Sequence, residues 1–463
     1  MRFFNHKVLA VAIASVGAVG TAHAAGLDRS GQDISAFLQD GTYAEAVYTY
    51  IDANISGKDQ SGNEVKDISA PYNFVRYGAK ADVNDVVSIG VLYDEPFGAA
   101  VKYTGTNDFV SDQDKTAQSM LDTVVERMTG PDAKYQEKLA GTMLKGIAFT
   151  KPNIEKIRER AKDFGTPPFD KIGEVLNRAA DIGESTHGQG TNVDIRTNNI
   201  SLLFGAKVAG LQIYGGPVAQ RLAGEVHLRG TAYSGLNGYD AKISPDHAVG
   251  WLAGASYSKP EIALKAALTY RSAIKHETNI NEMIPVLGFR GSATENVQKF
   301  KVTTPKSWNF DFQTGLSAKH RLLGTAKVRY VPWSQFDVRP PAYGKVTEAV
   351  AGKALPIVSY PKDQWGVELG LGKQINDKLS IAGNIGWDSG AGNPTTSLGP
   401  IKGYYSVGGG VKYNVTPQVS VSLGGKYLKF GNATAQLPTG AKVGEFKDND
   451  GFIAGVKLAY HAK

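Results

Sequence analysis

Most of the chain beyond residue 192 alternates apolar residues with polar or small ones, in short runs that end at turn residues. In one such run Leu379, Ile381, Ile385 and Trp387 occupy alternate positions, with Lys378 and Ser380 on the other side. A period of two places successive side chains on opposite faces of a strand. Runs of this kind, over the whole chain, predict strands at about 43–55, 72–82, 86–104, 193–209, 211–229, 241–258, 261–277, 299–317, 321–336, 359–374, 378–389, 401–414, 417–431 and 450–461.

Residues 1–24 predict a secretory signal peptide. Arg2 and Lys7 form a positive start, residues 8–20 are apolar or small, and Ala22-His23-Ala24 is a cleavage signature. The apolar run is shorter than the ~20 residues that a membrane-spanning helix needs, which argues against an anchor. We therefore expect cleavage before Ala25.

A soluble sandwich and a membrane barrel share this alternation, and the export signal favours the barrel. No later segment is a continuous apolar stretch of spanning length, and a closed sheet is the other structure that satisfies every backbone group in lipid. The predicted fold class is all-β: a 14-stranded antiparallel transmembrane β-barrel over residues 43–463. An even strand number is typical of single-chain outer-membrane barrels, so we expect the outer membrane as location.

The predicted connections alternate between short and long, as they do in outer-membrane barrels. Tyrosines and tryptophans near strand ends fit interfacial girdles, although aromatic residues also favour strands in general. Short turns such as Asn84-Asp85, Gly210 and Asn376-Asp377 are expected at the periplasmic side, and long loops such as 57–71, 278–298, 337–358 and 432–449 outside.

A helical insertion is predicted within the barrel domain at residues 106–191. Its charged core segment, 112–185, carries two apolar stripes at helical spacing, the first at Met120, Leu121, Val124, Val125 and Met128 and the second at Ile154, Ile157, Ala161 and Phe164. Pro152 and Pro167-Pro168 divide it into short helices. We expect an extracellular cap, either a packing domain or a lip that collects amphipathic substrate.

Composition removes several classes of function. The chain has 463 residues, 54 glycines and no cysteine, which excludes disulfides and cysteine metal sites. Removal of Arg2 and Lys7 with the signal peptide lowers the net charge from +7 to +5. This mild basicity suits an anionic ligand or lipid surface better than nucleic acid. No nucleophile elbow, phosphate loop or metal-ligand spacing occurs in its structural context, so we predict no enzyme, no metal and no cofactor.

Cations recur on the polar faces of predicted strands and are expected to converge in the lumen. They lie on the fifth strand (Arg221 and Arg229, beside Glu225 and His227), the seventh (Arg271 and Lys275) and the ninth (Lys327 and Arg329). A carboxylate would bind such a cluster through charge-assisted hydrogen bonds. The alternative is that these cations pair with lumen acids such as Glu225 and Glu368 and fill the barrel.

The third predicted strand contains Pro96-Phe97-Gly98 in its interior. Proline cannot donate to the ladder and glycine weakens it, so this sequence predicts a kink that lacks strand-to-strand hydrogen bonds. In a barrel such a kink is either a lateral opening or a plain bulge.

Several ordered motifs resemble the FadL-type long-chain fatty acid transporters of the outer membrane. They are Gly250-Trp251-Leu252-Ala253-Gly254, Leu268-Thr269-Tyr270-Arg271-Ser272, Pro305-Lys306-Ser307-Trp308, Val331-Pro332-Trp333-Ser334-Gln335-Phe336 and the Pro96-Phe97-Gly98 kink. The resemblance implies a plug in the lumen at residues 25–42, an inner pocket, and lateral exit of substrate through the kinked third strand. It also implies a monomer that contacts outer-membrane lipids and the barrel assembly machinery.

Two arginines take proposed roles from this resemblance. Arg221 falls where such transporters carry an arginine that meets the substrate carboxylate, and Arg339 lies near a second cationic contact. The candidate ligand-binding set is therefore Arg221, Arg271, Lys327, Arg329 and Arg339, and the candidate lateral opening is Pro96, Phe97 and Gly98. The chain departs from the family in lacking Asn-Pro-Ala in the plug and in placing its helical insertion after the third strand.

The sequence hypothesis is passive uptake of hydrophobic molecules, with long-chain fatty acids first. Uptake of aromatic or aliphatic hydrocarbons by the same fold is the nearest alternative, because hydrocarbons need no carboxylate clamp. A surface adhesin or antigen that uses the helical cap is a second alternative, and a general aqueous porin is a third.

Overall fold

The computed structural model describes residues 27–131, 133–148, 153–166, 170–284 and 295–462. The predicted signal peptide, the first two residues of the predicted plug, and the prolines at 152, 167 and 168 lie outside the described residues.

Fourteen antiparallel strands form a closed barrel, which confirms the predicted fold class. Each strand pairs with the next, and the last strand pairs with the first from Thr42 opposite Ala462 to Asn54 opposite Asp450. The strands are β1 Thr42–Asn54, β2 Tyr72–Asp82, β3 Val87–Asp94 continued by Gly98–Lys102, β4 Asn192–Val208, β5 Leu211–His227, β6 Asp240–Lys259, β7 Leu264–Arg271 continued by Ile274–Met283, β8 Glu295–Thr304 continued by Ser307–Ser317, β9 Leu322–Val331, β10 Gln364–Gln374, β11 Leu379–Asp388, β12 Lys402–Asn414, β13 Val419–Gly431 and β14 Asp450–Ala462.

The ninth strand is the clearest error in the predicted boundaries. β9 ends at Val331 rather than at 336, because Pro332 has no N–H to continue the ladder and Trp333–Gln335 forms a 3-10 turn. β10 likewise begins at Gln364 rather than at 359. The segment between these strands folds into the barrel mouth instead of extending its wall.

The exterior of the barrel carries an apolar band. Ile200, Phe204, Val249 and Ile385 are more than half exposed there, as side chains that face lipid are. Aromatic rings border the band towards the rim with the long loops. Trp251 and Tyr270 lie 5.1 Å apart between ring centroids, Tyr270 and Trp308 4.6 Å, and Tyr330 and Trp365 4.7 Å. This row fits the predicted girdle.

Short turns join the strands at one rim, which we call the turn rim, and long segments join them at the other, the loop rim. The loop rim carries helices α1 Gln113–Thr129, α2 Tyr135–Ala148, α3 Ile154–Asp163 and α4 Asp170–Thr186 between β3 and β4, the 3-10 helix Thr231–Leu236, and helix α5 Pro341–Ala351. A further 3-10 helix, Pro260–Ile262, joins β6 to β7 at the turn rim. None of the described helices is both long and apolar enough to span a membrane.

Helices α1 to α4 form the predicted insertion and bury their own core. Both predicted stripes lie in it, Met120 and Leu121 from α1 and Ile157 and Ala161 from α3. The Asp112 carboxylate caps α1 by accepting a hydrogen bond from the Lys115 N–H, which satisfies one of the free donors at the helix start.

Short strands at the loop rim form a separate cover. Gly57–Asp59, Glu64–Val65, Thr395–Thr396, Ala433–Gln436 and Lys442–Phe446 make a five-stranded sheet, and Asp337–Val338 pairs with Val358–Ser359. This cover closes the mouth beside the helical insertion.

The N-terminal segment, residues 27–41, fills the lumen and is called the plug below. Ile34 and Phe37 are fully buried, in a cluster that includes Leu203 and Tyr214 of the barrel wall. The plug occupies the half of the lumen nearer the turn rim and leaves the loop-rim half to other side chains.

Candidate functional site

The third strand is interrupted at the predicted kink. β3 stops at Asp94 and resumes at Gly98. Its ladder with β2 runs only from Tyr77 opposite Tyr93 to the turn rim, whereas β4 pairs with both segments of β3. The wall therefore lacks a β2–β3 ladder beside Pro96, as the sequence predicted.

The plug supplies hydrogen bonds that β2 does not. Arg29 N donates to Pro96 O at 2.8 Å, and Gly98 N donates to Leu27 O at 2.8 Å. On the other side Phe97 N donates to Thr197 Oγ1 at 2.9 Å. Backbone groups of the kink thus form hydrogen bonds with the plug inside the barrel and with β4 in the wall.

Side chains fill the gap that the kink leaves. The Arg29 guanidinium lies over the Tyr72 ring, 3.2 Å from its centroid, and the Tyr72 hydroxyl donates to Glu95 at 3.0 Å. A Cβ at Gly98 would lie 2.6 Å from Ile195 O and 2.9 Å from Arg29 Nε. Glycine at this position lets the plug arginine and the fourth strand approach the kink closely.

Two predicted lumen cations form ion pairs with plug carboxylates. Arg329 Nε and Nη2 donate to Asp28 at 2.5 and 2.8 Å, with both side chains buried. Lys327 Nζ lies 3.3 Å from Asp33. The Arg329 pair is bidentate and charge-assisted, which fixes its geometry strongly, and Lys327 adds a single ionic contact, so both cations hold the plug.

Arg271 also faces the plug. Its Nη2 donates to Gln32 O at 3.3 Å, and its side chain is buried. On the same side of the plug, Ser30 donates to Asp94 at 3.1 Å. Arg271, Lys327 and Arg329 therefore do converge in the lumen, in contact with plug oxygens.

Arg221 is not in the lumen. Its neighbours Gln220 and Leu222 are 1% and 4% exposed and point inward, so Arg221 lies on the exposed outer face. Lys275 is also outside, 2.7 Å from Glu277. The expectation that both share the lumen is wrong.

The reason is a reversal of polarity along the strands. In the apolar band the outer face meets lipid, but β4 to β8 continue past the aromatic row. There the outer face carries ion pairs such as Arg196 with Asp194 at 3.0 Å, while Leu222 and Val226 point inward. Polar side chains mark the outside of this part of the barrel.

The remaining predicted cations lie at the loop rim. Arg339 Nε donates to Asp337 at 2.8 Å and its Nη1 to Ala354 O at 3.0 Å, in an exposed position. Arg229 is buried and its Nη2 donates to Asp240 at 2.7 Å. Both arginines brace loops and do not line the pocket described next.

An apolar pocket lies between the plug and the loop rim, directly behind the kink, and is called the inner pocket. Among the described residues, its lining has no lysine, arginine, aspartate or glutamate. The lining residues are Leu27, Phe97, Ala99, Val193, Ile195, Thr197, Leu222, Val226, Ala241, Ile243, Ile280, Val302, Thr304, Pro305, Trp333, Phe336, Val338, Pro340, Ile357, Val358, Tyr360, Thr396 and Leu398.

Aromatic rings form one wall of the inner pocket. The Trp333 ring lies edge-on to Phe97 at 5.7 Å and to Phe336 at 5.3 Å, and Trp333 Nε1 donates to Gln364 at 2.6 Å. The sequence reasoning did not assign this wall, although its motif Val331–Phe336 contains two of the rings. Pro332 after an apolar strand was the available signal that the chain turns inward here.

A larger cavity of about 520 Å³ opens at the loop rim and is called the outer cavity. Helix α1 lines it with Thr123 and Glu126, and α5 lines it with Tyr343 and Thr347. Ile357 and Leu398 border both cavities. These two side chains form the partition between the outer cavity and the inner pocket.

In sequence, neither a family model nor a curated protein matches this chain. In structure, the chain is similar to a crystal structure of a Pseudomonas aeruginosa FadL homologue, with a TM-score of 0.59, 13% identity, and coverage of 97% of this chain and 98% of that one.

Two toluene transporters are also similar in structure. The Pseudomonas putida transporter TodX matches with a TM-score of 0.54, 9% identity and coverage of 96% and 97%. The Ralstonia pickettii transporter TbuX matches with a TM-score of 0.52, 10% identity and coverage of 96% and 98%. Identity this low establishes a shared fold. The chain has the barrel fold of FadL-type transporters, so the resemblance noted in the sequence is confirmed at that level.

Proposed function

We propose that this protein is an outer-membrane transporter for passive uptake of hydrophobic small molecules, with neutral molecules as the preferred class. The observation that carries the proposal is the inner pocket, an apolar chamber behind a break in the barrel wall. Its fold neighbours include toluene transporters. No cofactor and no catalytic group takes part in this role.

The lining of the two cavities favours neutral molecules over long-chain fatty acids, the first choice from sequence. An acyl chain would find apolar surface in the inner pocket, but a carboxylate there would be buried without a cation, which is costly. The charged residues that line the outer cavity within the described part of the chain are Asp108 and Glu126, which repel a carboxylate. Arg271, Lys327 and Arg329 bind the plug.

The proposed route runs from the loop rim to the membrane. Substrate enters the outer cavity beside the helical insertion, passes Ile357 and Leu398, and occupies the inner pocket. Pro96, Phe97 and Gly98 then shape a lateral exit next to the exterior Tyr77 and Tyr93 rings, 5.8 Å apart. On this route the loop rim faces outside and the barrel acts as a monomer in outer-membrane lipid, inserted by the barrel assembly machinery.

Initial uptake rates test the proposal in cells that lack their own transporters and display this chain at verified surface levels. Labelled toluene should enter these cells faster than cells with the empty vector. The increase in uptake rate over the empty vector should be smaller for labelled oleate. Equal gains would restore fatty acids as substrate. No gain for either, with a folded and exposed barrel, would overturn the proposal.

The same cells test the porin alternative. Because the plug fills the lumen, we expect no entry of small sugars, and that result would exclude a porin. An adhesin role for the helical cap predicts that deletion of residues 112–185 abolishes cell attachment while uptake is unchanged. Loss of uptake on that deletion would instead support the outer cavity as the entrance.

A further inference from the structure

Among the described residues, the lining of the inner pocket has four side chains with a hydroxyl, and three of them are already hydrogen-bonded within the protein. Thr197 Oγ1 donates to Phe97 O at 2.8 Å, and Thr304 Oγ1 donates to Gln220 Oε1 at 2.7 Å. Thr396 Oγ1 accepts from Leu398 N at 3.2 Å. The Thr197 and Thr304 hydroxyls already donate within the wall, whereas Thr396 accepts a bond and keeps its own O–H.

Tyr360 is the fourth. It is 6% exposed, and its hydroxyl has no hydrogen-bond partner within the described ranges. A hydroxyl in an apolar lining gains from a hydrogen-bond partner, because an unpartnered polar group in such surroundings is costly. Burial also raises the pKa of Tyr360, so the hydroxyl is protonated at neutral pH and can donate.

The position of the Tyr360 ring is fixed by its neighbours. Its centroid lies 5.3 Å from that of Trp333 at 63° and 6.3 Å from that of Phe336 at 29°. A ring held on two sides cannot easily turn its hydroxyl elsewhere. Tyr360 therefore gives the largely apolar lining a hydroxyl whose ring position is fixed.

We propose that the inner pocket selects neutral hydrophobic molecules that carry a single hydroxyl or carbonyl oxygen, which Tyr360 binds by a hydrogen bond. This inference rests on the proposed function and adds to it. Pure hydrocarbons fit the same walls but leave the hydroxyl of Tyr360 without a partner, so the oxygenated molecule binds more tightly.

The free volume of the inner pocket agrees with a small ligand and requires adjustment. It is about 60 Å³, below the roughly 150 Å³ of a cavity that binds benzene. A one-ring molecule must displace some lining side chains, and Leu27 of the plug is only partly buried. Its movement enlarges the pocket without disturbing the Tyr360 ring.

The test compares p-cresol with toluene, which differ by one hydroxyl. Equilibrium binding of each labelled compound is measured to the full chain in lipid nanodiscs, with protein-free nanodiscs subtracted. The variant is Tyr360→Phe, which keeps the ring. The matched control is Tyr343→Phe, a buried tyrosine of the outer cavity whose hydroxyl also has no partner within the described ranges.

The wild type should bind p-cresol more tightly than toluene. Tyr360→Phe should weaken p-cresol binding about three- to tenfold, the effect of one lost hydrogen bond, and leave toluene binding unchanged. If toluene binds but Tyr360→Phe leaves p-cresol binding unchanged, or Tyr343→Phe weakens it instead, the inference is wrong. If neither compound binds the wild type, the proposed function itself fails.

Discussion

The plug and the inner pocket divide the lumen into two regions of opposite chemistry. Around the plug, carboxylates and cations meet in buried pairs such as Asp28 with Arg329. In the inner pocket, apolar side chains dominate, and no described residue of the lining is ionic. A buried ion pair is weak evidence for stability, because desolvation offsets much of the attraction. Charge inside this barrel therefore positions the plug, while apolar surface provides the space for a ligand.

Arg329→Ala should have the largest effect, because it leaves the Asp28 carboxylate buried without its cation. Loss of one member of a buried pair costs about 3–5 kcal/mol. We expect a lower free energy of unfolding in detergent and a gain of ion conductance in planar bilayers as the plug loosens.

Arg339→Ala is the matched control, since its pair with Asp337 is exposed and should contribute about 0–1 kcal/mol. Equal losses in the two variants would contradict the division of the lumen. Adding Asp28→Asn to the Arg329→Ala variant should recover part of the stability, because it removes the unpaired charge.

Gly98→Ala tests the boundary between the two regions. The added Cβ would meet the Ile195 carbonyl and the Arg29 side chain, and such overpacking costs about 1–3 kcal/mol. Heat denaturation followed by circular dichroism should show this loss. Gly399→Ala is the control, because nothing lies within 4 Å of a Cβ there. A fully stable Gly98→Ala variant would mean that the plug and β4 can withdraw from the kink without cost.

Arg221→Ala should have the smallest effect, because the side chain is exposed on the outer face. Surface substitutions of this kind usually change stability by less than about 0.5 kcal/mol. Uptake of labelled oleate and toluene should stay near the wild-type rates. A selective loss of oleate uptake would show that Arg221 meets a carboxylate after all, and would place the ligand outside the inner pocket.

Sequence reasoning recovered the strands because a period of two is a local signal. The run around Ile381 and Ile385 identifies β11 without any knowledge of its neighbours. The prediction for Arg221 was wrong because the polar face of a strand points inward within the apolar band and outward beyond the aromatic row. Which face is polar depends on the position of the residue along the barrel axis, on one side of the aromatic row or the other. That position is known only from the assembled barrel.

Part of the candidate site could be predicted from the sequence. Pro96 and Gly98 predicted the break in β3, because proline cannot donate to a strand ladder and glycine weakens it. The pairing of Arg329 with Asp28 joins residues about 300 positions apart, and no spacing rule connects them. The resemblance implied an inner pocket but not its lining, because the aromatic wall comes from a segment predicted to extend β9 and β10.

The pairing of β1 with β14 also sets an order of events during biogenesis. Residue 42 meets residue 462, so the ring cannot close before β14 has been synthesised, and contacts so distant in sequence form slowly. Until then the sheet has two open edges, which invite association with other chains. The plug precedes β1 in the chain, so it emerges before any strand of the barrel. A product truncated before β14 would retain both edges, and its accumulation as aggregates rather than as a leaky pore is the outcome to look for.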